Sequence, residues 1–133
     1  MRVIQLMQAP VATIGREASI SEAILTLADR HISALPIVDQ RGTMIGVLST
    51  TDILEAESEV TDREARDRLF EDTPVEELMT PRPLTISPEA DIREAARRML
   101  YGDVHRLFVE LNGELIGVIS RTDLVRAFAI QRA

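Results

Sequence analysis

Two short segments of this 133-residue chain carry hydroxyls and a carboxylate at a spacing that could hold a ligand: Ser49-Thr50-Thr51-Asp52 and Ser120-Arg121-Thr122-Asp123. Each follows an apolar run that reads as a buried strand, and each opens a helix. Free backbone N–H groups at a helix start favour an anion such as phosphate. A carboxylate in the same place accepts hydrogen bonds from both hydroxyls of a ribose, at about 1.5–3 kcal/mol for a bond to a charged group. Ser49, Thr51, Ser120 and Thr122 supply further donors without adding charge. The same pattern is also a plain N-cap followed by an acidic first-turn residue. The motif alone leaves both readings open.

A second cluster is sharper. Val104-His105-Arg106-Leu107-Phe108-Val109 brings a His-Arg pair into the start of an apolar strand. Arg106 could grip a phosphate with two parallel donors and His105 could add another. The competing reading pairs Arg106 with an acidic neighbour, Asp103 or Glu110. Arg121 places one more cation at a helix start, where the helix dipole disfavours it, and so hints at an anion nearby. His31, at the end of a helix, is simply favourable to that terminus.

These residues are positioned by an internal repeat. Gly46-Val47-Leu48-Ser49-Thr50-Thr51-Asp52 returns 71 residues later as Gly117-Val118-Ile119-Ser120-Arg121-Thr122-Asp123. At an offset of 72, Leu6-Met7 meets Leu78-Met79, Thr13-Ile14 meets Thr85-Ile86, and Glu22-Ala23 meets Glu94-Ala95. One residue is lost between the turns Asp39-Gln40-Arg41-Gly42 and Leu111-Asn112-Gly113, as a hairpin tolerates. The repeats cover about 3–56 and 75–127, too little for each to bury a separate core, so a shared one is expected. Ser19-Ile20-Ser21-Glu22 reads as a capping box, followed by a helical stripe of Ile20, Ala23, Ile24, Leu27 and Ala28. Its counterpart opens at Asp91 with Glu94 and carries Ile92, Ala95, Ala96, Met99 and Leu100. Leu35-Pro36-Ile37-Val38 and Met44-Ile45-Gly46-Val47-Leu48 read as strands covered on both faces. Each repeat therefore reads as a lead-in strand, a helix, two strands and a closing helix. Between them, Glu55 to Asp72 reads as a solvated acidic helix or a docking surface for a partner, and Thr73-Pro74-Val75-Glu76 as a fresh helix start with Pro at its first position.

Composition removes several function classes. The chain holds no Cys and two His, which leaves no thiolate chemistry and no metal cluster, and it lacks a Gly-rich phosphate loop. No catalytic residue is expected. A net charge of −7 argues against nucleic-acid binding, which needs a basic face. The absence of a long apolar run, and of an apolar stretch with a cleavage site after Met1, predicts a cytoplasmic protein without a membrane span.

Taken in order, the paired Gly46–Asp52 and Gly117–Asp123 segments, Ser33-Ala34-Leu35-Pro36-Ile37-Val38-Asp39, and Leu78-Met79-Thr80-Pro81 resemble the CBS (cystathionine β-synthase) domain in tandem, a Bateman module. The resemblance covers nearly the whole chain. It implies an α/β (α+β) fold of two β-α-β-β-α units related by a pseudo-twofold axis, packed through their sheets with ligand clefts between them. The expected division is repeat one at 1–56, an acidic connector helix at 57–74, and repeat two at 75–133. Such modules bind adenosyl ligands (AMP, ADP, ATP or S-adenosylmethionine) and commonly dimerise. The family's ribose-binding Asp falls on Asp52 and Asp123, and its flanking hydroxyls on Ser49, Thr51, Ser120 and Thr122. The phosphate-contacting His-Arg pair of members similar to the kinase regulatory subunit falls on His105 and Arg106, while Thr13 and Thr85 resemble adenine-lining positions. Repeat one has Ser33-Ala34 where repeat two has the basic pair, so the clefts are expected to differ. Following that subunit, Asp52 belongs with His105 and Arg106 in the cleft that takes a phosphorylated nucleotide, and the Asp123 cleft is weaker. The implied function is a non-catalytic regulatory homodimer that senses an adenosyl ligand and acts on a partner protein in trans. The alternative is a structural dimerisation module with vestigial clefts.

Overall fold

Short apolar runs bounded by glycine turns form strands, and capped amphipathic runs form helices, in the computed structural model, which describes residues 1–132. The chain divides into two compact units, Ala12–Arg82 and Met1–Val11 joined with the segment from Pro83 onward.

The Ala12–Arg82 unit contains β1 (Ile14–Gly15), α1 (Ile20–Arg30), β2 (Ala34–Val38), β3 (Met44–Ser49), α2 (Thr50–Ser58), α3 (Arg63–Asp72) and β4 (Thr80–Pro81). Ser19 caps α1 by accepting the Glu22 N–H at 3.1 Å, but the return half of the predicted box is not formed. His31 closes α1 in the left-handed conformation, its N–H reaching Ala28 O. The sheet runs β1-β2-β3-β4, with β1 parallel to β2 and the other pairs antiparallel. Leu35, Pro36 and Ile37 of the expected strand are buried and Val38 is half-buried. In β3 only Gly46 and Leu48 are buried, so β3 is not equally covered on both faces. Ile20, Ala23, Leu27, Leu35, Ile37, Leu48, Ile53 and Val75 form the core, whereas Ile24 of the predicted stripe stays partly exposed. Segment 57–74 holds the end of α2, a turn, and α3, which is capped by Asp62 and has no buried residue. Thr73 ends α3, and Pro74 stands ahead of a 3-10 turn at Val75–Glu77 rather than inside a helix. The proline ring steers its predecessor to extended backbone, and Thr73 has φ −97° and ψ 121°.

The other unit contains β5 (Thr85–Ile86), α4 (Ile92–Gly102), β6 (Arg106–Leu111), β7 (Glu114–Ser120) and α5 (Arg121–Arg132). Asp91 caps α4 through the Arg93 N–H at 2.8 Å, and Asp103 ends it left-handed, as His31 ends α1. The sheet runs β5-β6-β7 with the same parallel and antiparallel senses. Its hairpin turns on Asn112 (φ 54°) and Gly113 (φ 81°), the positive pair that a tight two-residue turn demands. The longer turn at Asp39 is held instead by its carboxylate, which accepts the Arg41 and Thr43 N–H groups at 2.9 and 3.0 Å. Both ladders shift register at equivalent points, Ile37/Val38 and Val109/Glu110. Val3, Ile86, Ile92, Ala95, Met99, Leu107, Val109, Ile119, Leu124 and Ala127 form the core.

The β-α-β-β-α order is thus present twice, but the compact units are not the sequence repeats. The lead-in stretch Val3–Gln5, ahead of β1, is a 3-10 turn, and it packs in the unit that holds the second repeat's strands. Val75, from the second lead-in, is fully buried among the first repeat's strands and helices.

Candidate functional site

In each unit the last long strand runs straight into a helix, so the joint residue must leave the ladder and cap the helix at once. Ser49 does this with extended φ −106° and ψ 162°. Its Oγ accepts the Asp52 N–H at 3.1 Å, and Asp52 Oδ2 accepts the Ser49 N–H at 2.9 Å. Ser120 and Asp123 repeat the exchange at 3.1 and 2.9 Å. The N-cap reading of the motif is therefore realised in both copies. It does not consume the carboxylates: each oxygen has two lone pairs, and the reciprocal bond takes one of them. Thr51 and Thr122 are exposed on the first turn beside them.

The neighbouring strand supplies the rest. Ala34 lies opposite Ser49, and the Thr50 N–H donates to Ser33 O at 2.9 Å. In the other unit, Arg106 takes Ala34's place opposite Ser120, and the Arg121 N–H donates to His105 O at 3.0 Å. His105, Arg106, Ser120, Thr122 and Asp123 are thus gathered at one end of one sheet, where β6 begins and β7 ends. Arg106 is half-buried, and loss of water around it lowers its pKa. The guanidinium remains charged at neutral pH, with part of its hydration already removed. Thr85 is half-buried, its residue pairing with Phe108 further along β6, and Thr13 is exposed just before β1.

Arg121 has a role that the sequence does not announce. Its Nε donates to Val104 O at 2.9 Å and its NH2 group to Met99 O at 3.4 Å, with Asp103 Oδ1 at 3.7 Å. It therefore closes the carbonyl end of α4, where cations and donors are favourable.

One contact lay outside the expected set. Gln8 Nε2 donates to Asp123 Oδ1 at 3.2 Å. The signal available in the sequence was the mismatch of Leu6-Met7-Gln8 with Leu78-Met79-Thr80 in otherwise matching lead-ins.

Among the described residues there is no group of three or more His, Cys, Asp or Glu side chains suited to a metal ion. No helix is long and apolar enough to cross a membrane.

Comparison with known proteins gives these positions a context. The family model for the CBS domain matches residues 3–59 and 75–130. The chloroplastic CBS domain-containing protein CBSX2 of Arabidopsis thaliana is 30% identical over 131 residues, covering 82% of this chain and 55% of that protein. The chain therefore spans about half the length of that relative. A CBS domain-containing protein of Dictyostelium discoideum is 32% identical over 127 residues, covering 92% of this chain and 88% of the other. The crystal structure of CBSX2 in complex with AMP superimposes with a TM-score of 0.83 at 27% identity, over 99% of this chain and 98% of that one. A CBS domain protein from Pyrobaculum aerophilum complexed with AMP gives 0.82 at 26% identity, over 98% and 97%.

Proposed function

This chain belongs to the CBS domain family, and we propose that it is a non-catalytic regulatory module that binds an adenosyl ligand, AMP foremost, and passes the bound state to a partner protein. The observation that carries this reading is the cluster at the sheet ends: a helix-start carboxylate beside hydroxyls in both units, with Arg106 opposite Ser120 in one of them. Asp52 and Asp123 take ribose hydroxyls. Arg106 and His105 take phosphate, where a partly desolvated guanidinium meets an anion with less water to displace. The solved relatives that carry AMP at more than a quarter identity support the same ligand class. Binding selects one arrangement of the module from those it already samples, and a partner reads the shift. The assembly is proposed to be a cytoplasmic homodimer acting in trans.

Calorimetry with AMP, ATP, adenosine and S-adenosylmethionine tests this on wild type, Asp52→Ala and Arg106→Ala. Asp52→Ala weakens every adenosyl ligand. Arg106→Ala weakens AMP and ATP by about tenfold or more and adenosine far less, since only the former carry the anion. Equal losses for all ligands would remove Arg106 as the phosphate reader.

A second reading, a dimerisation module without ligands, draws on the reciprocal caps, which give both Asp-Ser pairs a structural reason to exist. The absence of any thermal shift with millimolar AMP, ATP or S-adenosylmethionine decides for it.

A further inference from the structure

The two helix-start carboxylates are chemically alike in sequence and unlike in the structure. Asp123 is 5% exposed, the single buried charged residue among those described. It accepts the Ser120 N–H at 2.9 Å and the Gln8 amide at 3.2 Å, and Arg126 stands 3.9 Å away on the next turn. Asp52 is half-buried and, within its unit, takes the Ser49 N–H alone. The residue three positions on, where Arg126 would stand, is Glu55. An ionised carboxylate only accepts, so the Gln8 group that faces Asp123 is its NH2, the same type of donor contact that a ligand hydroxyl makes.

The backbone shows why Gln8 is there. Gln8 and Val118 exchange both main-chain hydrogen bonds, at 2.8 and 3.0 Å, which fixes Gln8 at the edge of β7. Thr80 holds the same place in the other unit, opposite Val47 at the edge of β3. The preceding methionines also correspond, Met7 over Gly117 and Met79 over Gly46. At these matched positions, one unit has a side chain long enough to reach the carboxylate and the other has a threonine. Gln8 is exposed, so its side chain can swing away without unpacking a core.

We infer that Gln8 is an internal stand-in for a ligand hydroxyl, a gate that keeps Asp123 occupied until an adenosyl ligand displaces it. The inference rests on the reading of Asp52 and Asp123 as ribose acceptors. A ligand arriving at Asp123 must displace a protein donor already in place, whereas one arriving at the half-buried Asp52 displaces only water. The module then fills its Asp52 position first and its Asp123 position at a concentration about tenfold higher. A single chain acquires two response ranges for one nucleotide.

The test uses Gln8→Thr, the residue of the other repeat, in wild type and in Asp52→Ala, with AMP as the probe in calorimetry. In the Asp52→Ala background, Gln8→Thr tightens the remaining AMP binding about tenfold. In parallel, the side-chain amide signal of Gln8 in the unmodified protein moves only over the higher AMP range. AMP binding that Gln8→Thr leaves unchanged or weakens, or an amide signal that stays fixed to saturation, overturns the gate and leaves the ligand assignment standing. If AMP binds neither protein, the ligand assignment fails and the gate fails with it.

Discussion

Met79 lies over Gly46 so closely that a Cβ there would fall inside contact with its sulfur and 3.0 Å from Thr80 O. Met7 lies over Gly117 in the same way, with a Cβ 2.5 Å from its sulfur and 3.1 Å from Gln8 O. A methionine tip yields, but the backbone carbonyl is held by the edge pairing of Thr80 with Val47 and of Gln8 with Val118. Gly46→Ala and Gly117→Ala are therefore each expected to lower stability by about 1–3 kcal/mol, the usual cost of overpacking. Gly15→Ala is the control, because nothing lies within 4 Å of its would-be Cβ. Chemical denaturation of the three variants checks the contrast, and an equal effect at Gly15 would refute the steric explanation.

Val75 is fully buried in the core built by Ile20, Leu35, Ile37 and Leu48, although by sequence it belongs to the second repeat. Val3 is likewise buried with Leu107, Val109 and Ile119. Val75→Ala is expected to cost about 2 kcal/mol and to reduce amide-exchange protection in β2 and β3, with β6 and β7 less affected. Val3→Ala should show the reverse pattern. Protection lost in the repeat that contains the substituted residue would contradict the exchanged lead-ins.

The limits of sequence reading follow from these residues. Ser49 with Asp52, the turns at Gly42 and Gly113, and the strand at Leu35 to Val38 were legible because each is decided by neighbours along the chain. The lead-ins were not. Val3 and Val75 are matched residues of a duplication, and nothing local says which copy's strands will bury them. The carbonyl contacts of Arg121 were hidden for a related reason. Its position at a helix start was visible, but its carbonyl partners Met99 and Val104 come from the end of a different helix. The Gln8 contact was invisible because its acceptor stands 115 residues away.

Arg121 also yields a prediction that separates structure from ligand. Its bonds to Val104 O and Met99 O close the end of α4, and an ionic donor contributes about 1.5–3 kcal/mol per bond at the upper end of such estimates. With the side chain about one-third exposed, Arg121→Ala is expected to lower stability by about 1–2 kcal/mol while leaving AMP affinity in place. Thermal unfolding paired with an AMP titration checks both halves. A large loss of AMP binding at unchanged stability would return Arg121 to the phosphate site.

The unequal surroundings of the two carboxylates should be visible without any ligand. Removing Asp123 leaves the Ser120 N–H and the Gln8 amide without their acceptor and removes the favourable charge beside Arg126. Removing Asp52 leaves the Ser49 N–H without its acceptor and relieves a like-charge neighbour at Glu55. Asp123→Ala is therefore expected to destabilise by about 2–3 kcal/mol and Asp52→Ala by about 1 kcal/mol or less, within the range for lost caps and orphaned buried groups. Gln8→Ala combined with Asp123→Ala supplies the cycle, since the second substitution removes a bond already broken by the first. Losses that simply add would show that the Gln8–Asp123 bond contributes nothing to the folded state, and equal losses at Asp52 and Asp123 would show that the difference in burial carries no energy.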